Sequence, residues 1–161
     1  MAQSLTLLLA SPLAYHQSRL VCAEGEGELM STNDAVLIAN EAFYAAFRAR
    51  DMKAMEAVWA EEAAVTCIHP GWNAIEGRAE VMESWAGILK NPNAPKIRCH
   101  APSAQVHGSA ALVVCYEVLD GGVLIATNAF IREAAGWRMV HHHAGPANAM
   151  PPNPATSSQI H

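Results

Sequence analysis

Histidine is the residue type whose number and spacing invite chemistry. Eight histidines accompany ten Lys plus Arg in 161 residues, and His141, His142 and His143 are adjacent. Imidazole changes charge near pH 6.5, so a histidine in an apolar pocket can take or give a proton at neutral pH without a cofactor. Side chains alternate along a strand. Trp137, Met139, His141 and His143 therefore share one face, and Arg138, Val140 and His142 the other. The Trp137/Met139 face is the more apolar and reads as the cavity side. His141 and His143 would then stand about 7 Å apart at the end of an apolar wall, as general bases or ligand-orienting donors. The alternative is a structural role for one of them, with His142 at a dimer surface. An i, i+2 pair on a strand can also chelate a metal, with His69, His100 or Glu117 as third ligand. No spacing fixes that ligand, so no metal is assigned.

Two further polar residues interrupt apolar runs. Glu117 lies in the run 110–119 and Asn128 in 123–132. A buried Glu needs a partner or a raised pKa, and a histidine is the obvious partner; the alternative is a Glu facing solvent or a dimer interface. Asn128 could contact a ligand or only hold the sheet register. Trp72 follows His69-Pro70-Gly71 and reads as a cavity-rim residue, whereas Trp85 reads as core and Arg78 as structural. Cys22, Cys67, Cys99 and Cys115 show no CxxC pair and read as buried thiols, which favours a reducing, cytoplasmic compartment.

The elements that must position these residues follow from periodicity. Ser31-Thr32-Asn33-Asp34 offers a helix cap. Behind it Val36, Leu37, Phe43, Tyr44 and Phe47 recur at helical spacing over 33–49. Asp51 caps a shorter helix with Met55, Val58 and Trp59. A strand follows over 64–69, and then a third helix over 78–89. After Pro95 the period becomes that of strands, in runs 96–107, 110–119, 123–132 and 137–144, joined by connections short enough to be hairpins. Helices first and a meander afterwards mean an α+β fold. The apolar run 5–14 is too short to span a bilayer and has no basic residue before it. Residues 1–30 read as an N-terminal arm, 31–146 as one domain and 147–161 as a flexible tail rich in Pro. With a net charge of −5 and no basic run, the chain is not a nucleic-acid binder.

This order, with Glu41-Ala-Phe-Tyr-Ala-Ala-Phe47, His69-Pro-Gly71, Glu76-Gly-Arg78, Thr127-Asn-Ala-Phe130 and Gly136-Trp-Arg-Met-Val-His-His-His143, resembles the NTF2-like superfamily in its SnoaL-like and ketosteroid-isomerase-like branch. The resemblance implies a cone: three N-terminal helices packed on a curved antiparallel sheet, a homodimer through that sheet and a cavity at the open end. Matched on Asp51, the oxyanion-hole tyrosine of ketosteroid isomerases falls on Phe43, which has no hydroxyl, and Tyr44 points about 100° away on a helix. The isomerases' catalytic Asp falls on Cys67 or His69, neither a carboxylate.

The expected function is binding of a small hydrophobic molecule. Isomerase or dehydratase chemistry would use His69, His141, His143 and Glu117 without a cofactor. Phe43, Tyr44, Trp72, Tyr116, Asn128, Phe130 and Trp137 form the candidate ligand-binding set. The alternative is a non-catalytic association domain resembling that of calmodulin-dependent kinases. No phosphate-binding glycine loop or GxSxG elbow appears.

Overall fold

The computed structural model describes residues 30–148. The arm and the tail expected from sequence lie almost wholly outside that range. The first helix, α1 (Thr32–Ala49), starts where Ser31 accepts a hydrogen bond from the Asp34 amide at 3.1 Å. Its apolar stripe buries Val36, Phe43, Tyr44 and Phe47, and Asn40 is buried with them. It ends at Arg50, a non-glycine residue with φ +54°, after which Asp51 N–H reaches back to the Ala46 carbonyl. Asp51 then caps α2 (Met52–Val58) through the Ala54 amide at 3.0 Å. The third helix, α3 (Arg78–Lys90), buries Val81, Trp85 and Leu89. Arg78 is structural, as expected. Its guanidinium donates at 2.8–3.0 Å to the Glu56 carbonyl, left without a helical partner in the last turn of α2, and to the carbonyls of Trp59 and Ala60 just after it.

The strands are β1 (Thr66–Ile68), β2 (Ile75–Glu76), β3 (Arg98–His107), β4 (Ala110–Leu119), β5 (Gly122–Glu133) and β6 (Gly136–Pro146). They form one open sheet in the order β2-β1-β6-β5-β4-β3. The meander is antiparallel, but β1 runs parallel to β6. The sheet is therefore mixed rather than wholly antiparallel. The reason is topological: β1 reaches the edge of β6 from the helical half of the chain and not through a hairpin. The short β2 had no sequence signal. The helices pack on one face of the sheet and together they form a cone-shaped α+β fold. No described helix is long and apolar enough to cross a membrane.

One irregularity decides which way the histidines point. On β5 Ala129 and Phe130 are consecutive, but their partners on β6 are His141 and Met139. Val140 is an extra residue, a β-bulge, and beyond it the alternation changes phase. Trp137 and Met139 face the helices before the bulge, and His142 and Ala144 face them after it; all four are buried. His141 and His143 do share a face, with ring centroids 6.4 Å apart, but it is the outer face. Their expected place on the inner wall is thereby corrected.

A chain lacking Val140 should keep His142 inward, because Met139 and His141 would then meet Phe130 and Ala129 in continuous register. We expect cooperative thermal unfolding with a Tm lowered by several degrees, reflecting lost strand curvature. Loss of cooperative unfolding would show that the bulge's bend, and not only its phase, is required.

Candidate functional site

The helices and the inner face of the sheet enclose a cavity of about 380 Å³. Its walls are aromatic and aliphatic, with Phe43, Phe47, Trp72 and Trp85 prominent, and its polar groups are Tyr44, His69, Glu117 and His142. Asn91 and Asn93 lie on the loop that forms the rim. This volume suits a small molecule, and a mostly apolar lining with a few polar groups is the usual composition of a ligand pocket.

Behind the wall a buried hydrogen-bond network fixes the polar groups. Asn128 and His142 are cross-strand partners, and their side chains bond at 2.7 Å through Asn128 Oδ1 and His142 Nδ1. Asn128 Nδ2 donates to Asn40 Oδ1 at 2.7 Å and to the Tyr44 hydroxyl at 3.3 Å. With both amide protons so placed, Asn128 Oδ1 accepts from His142, which makes Nδ1 the protonated nitrogen and leaves Nε2 as an acceptor. Tyr44 donates to Glu117 Oε1 at 2.9 Å and touches Cys115 Sγ at 3.1 Å. His142 Nε2 lies 3.9 Å from Glu117 Oε1.

His69 is held separately. The Ser84 hydroxyl donates to the Val81 carbonyl at 2.8 Å, so at 3.0 Å its oxygen accepts from His69 Nε2–H. His69 Nδ1 keeps its lone pair. The Trp85 ring connects the two histidines, 4.6 Å from His69 and 5.7 Å from His142 between centroids.

Burial sets the charges. It pushes Glu117 from an ordinary 4.5 up to about 7, with the Tyr44 hydrogen bond pulling the other way. It pushes His69 down to about 4 and His142 down to about 3. At neutral pH both rings are neutral bases, and Glu117 is divided between acid and carboxylate. The Cys67 thiol, 3.9 Å from His69 Nδ1 and 3.8 Å from Nε2, is pushed up to about 12 by burial, so it is no nucleophile at neutral pH. Burial also raises the Tyr44 phenol far above its ordinary range.

Of the residues singled out in the sequence, the structure brings Phe43, Tyr44, His69, Trp72 and Glu117 to the cavity. His141 and His143 are not there, for the bulge turns them outward. Tyr116 is half-buried and does not line the cavity, since it alternates with the inward Cys115 and Glu117. Phe130 and Trp137 are core residues, and Asn128 lies behind His142. Tyr44 corrects the expectation of a missing hydroxyl: the buried face of α1 is wide enough to take both Phe43 and Tyr44. Sequence reasoning missed His142, Asn40 and Ser84. Asn40 had a signal, a polar residue one turn before Tyr44 on the apolar stripe. His142 had a weaker one, because buried Met139 and Ala144 cannot both face inward on an unbroken strand. Among the described residues no group of three or more His, Cys, Asp or Glu is placed to hold a metal.

The sequence pattern of the SnoaL-like domain matches residues 36–149. A protein from Streptomyces avermitilis, provisionally assigned as a dehydratase of the NTF2-like family, is 34% identical, with 72% of this chain and 96% of that one covered and a TM-score of 0.66. A protein from Thiobacillus denitrificans, provisionally assigned as a calcium/calmodulin-dependent protein kinase type II association domain, is 36% identical over 68% of this chain and 93% of that one, with a TM-score of 0.62. The CaMKII hub of S. rosetta is 26% identical over 73% and 98% of the two chains, with a TM-score of 0.61. No curated protein matches.

The charge pattern predicts opposed contributions to stability. Glu117 titrates near 4.5 unfolded and about 7 folded, so stability falls as pH rises between those values and is flat above. His69 and His142 titrate near 6.5 unfolded and at about 4 and about 3 folded, so their contribution rises with pH up to about 6.5. Glu117→Gln removes the fall and keeps the rise. Its stability relative to the wild type should increase between pH 5 and 8, by on the order of 3 kcal/mol, as read by urea unfolding at each pH. A difference independent of pH would contradict a raised Glu117 pKa.

Proposed function

The chain belongs to the SnoaL-like domain family of the NTF2-like superfamily, and on that premise we propose that it is a cofactor-independent enzyme moving protons on a small, largely apolar molecule, in an isomerisation or a dehydration. The observation that carries this reading is one apolar cavity holding two neutral histidines and a carboxyl group that titrates near neutrality. In a dehydration, His69 Nδ1 takes the proton from the carbon next to a carbonyl. Glu117 in its acid form protonates the leaving hydroxyl, the C–O bond breaks, and an alkene and water result. Proton exchange with solvent returns both groups to their starting states. Tyr44 is a positioning residue that holds Glu117 through its hydroxyl, and His142 stands 3.9 Å from the same carboxyl oxygen. A cytoplasmic location belongs to the same reading, because buried Cys67 and Cys115 are free thiols.

A β-hydroxyketone panel of cavity size tests this. Loss of water should be fastest between pH about 4, where His69 becomes neutral, and about 7, where Glu117 loses its proton. His69→Gln and Glu117→Gln should each reduce kcat/KM by about 100-fold or more. Rates equal to the wild type in both variants would overturn the catalytic reading.

A second reading, a non-catalytic association domain, is favoured by the opposite face. Leu112, Val114 and Ile125 are exposed on β4 and β5, and Val114 and Tyr116 oppose Thr127 and Ile125 across the strands. Such a patch suits a second copy of the chain, in a homodimer through the sheet. Light scattering should give twice the chain mass for the wild type and a single chain mass for Leu112→Asp with Val114→Asp. A monomeric wild type would remove the sheet interface from the account.

A further inference from the structure

A second depression of about 360 Å³ lies across the rim from the cavity. Phe47, Ala94, Pro95 and Ile97 line both, so one wall separates them. The second depression is basic: Arg48, Arg50, Lys96 and Arg98 surround it, with Asp120 as its single acid. These are four of the ten Lys and Arg in a chain of net charge −5.

Two of the four have structural explanations. The C-terminal end of α1 favours positive charge. Arg48 there pairs with Glu41. Arg50 donates to the Asn91 and Pro92 carbonyls at 3.0 and 3.3 Å, which ties the rim loop to the helix end and gives a reason for an arginine in the left-handed conformation. Lys96 and Arg98 have no such account. Lys96 sits just before β3 and Arg98 is its first residue, neither at a helix end, and among the described residues neither has a carboxylate within 4.0 Å, Asp120 included. Both are exposed. Like charges gathered around a concave surface repel one another, and they concentrate anions there.

We propose that this depression binds an anionic group, a carboxylate or a phosphate, held by the Lys96 ammonium and the Arg98 guanidinium with Arg48 and Arg50 completing the field. An ammonium and a planar guanidinium supply up to eight N–H donors between them, as an oxyanion requires. The shared wall allows two sources. The anion is the acidic tail of a molecule whose apolar body fills the cavity, or it is a separate small anion bound beside the rim. The site does not depend on catalysis, for either source.

Binding to the full chain tests this at low salt. Pyrophosphate, followed by calorimetry, probes the free anion. 1-Naphthaleneacetate against neutral 1-naphthalenemethanol, followed by Trp72 and Trp85 fluorescence, probes the tail. The double variant Lys96→Gln with Arg98→Gln changes only exposed side chains, and its Tm checks that it folds. If the anion is a tail, naphthaleneacetate binds the wild type at least about tenfold more tightly than the alcohol, and the variant and 0.5 M salt abolish that preference. If the anion is separate, pyrophosphate binding falls about tenfold or more in the variant while both aromatic probes are unaffected. The proposal is overturned if neither anion binds, or if the variant binds both as the wild type does. These readouts are of binding, so a chain that turns over no hydroxyketone is still tested by them.

Discussion

The Asn128 side chain is the hub on which the polar half of the cavity depends. Its one amide group holds Asn40, Tyr44 and His142 together. Each hydrogen bond is worth roughly 1 kcal/mol net, but a buried polar group left unpaired costs about 1–3 kcal/mol. The network is therefore far more costly to break than the sum of its bonds suggests. Its geometry also has chemical consequences. Asn128 determines which nitrogen of His142 carries the proton, and it orients the Tyr44 hydroxyl toward Glu117. Tyr44 in turn limits how far burial raises the Glu117 pKa. A cavity without these constraints would hold the same residues with no defined donors and acceptors.

A second constraint is geometric. A strand has a period of two, so an extra residue exchanges its faces. Val140 does this between Met139 and His141. Without the bulge's change of phase, Trp137 and Met139 in the core would carry His141 and His143 into the cavity and leave His142 outside. With it, the core contacts of Trp137 and Met139 and the Asn128–His142 bond are satisfied on the same strand.

Much of the architecture was legible because it rests on local rules. The caps at Ser31 and Asp51, the stripe from Val36 to Phe47 and the glycine turns of the meander all express themselves within a few residues. Glu117 was legible as a polar interruption of an apolar run, and His69 only through the resemblance to ketosteroid isomerases, whose catalytic Asp falls on Cys67 or His69. The rest depended on distant partners. The bulge becomes visible only when β5 is laid against β6. The parallel pairing of β1 with β6 joins segments about 75 residues apart in sequence. Helix geometry gives the angle of Tyr44 from Phe43 but not the width of the groove that receives both. Asn128 is recognisable in the sequence as a polar residue on β5, but its partner Asn40 lies 88 positions away. Fold and site converge in one respect: of the aromatic rings around His69 and His142, Phe43 and Trp85 come from α1 and α3, whose packing any reading of hydrophobic period would place against the sheet, and Trp72 comes from the loop after His69.

The central claim is that a neutral His142, protonated on Nδ1, presents Nε2 toward Glu117. Nitrogen-15 NMR of the histidine-labelled chain at pH 7 tests it most directly, with His142→Gln identifying the resonance. The expected result is a neutral ring with the proton on Nδ1, remaining neutral down to about pH 4, since burial holds its pKa near 3. A ring protonated on Nε2, or an imidazolium at pH 7, would contradict it.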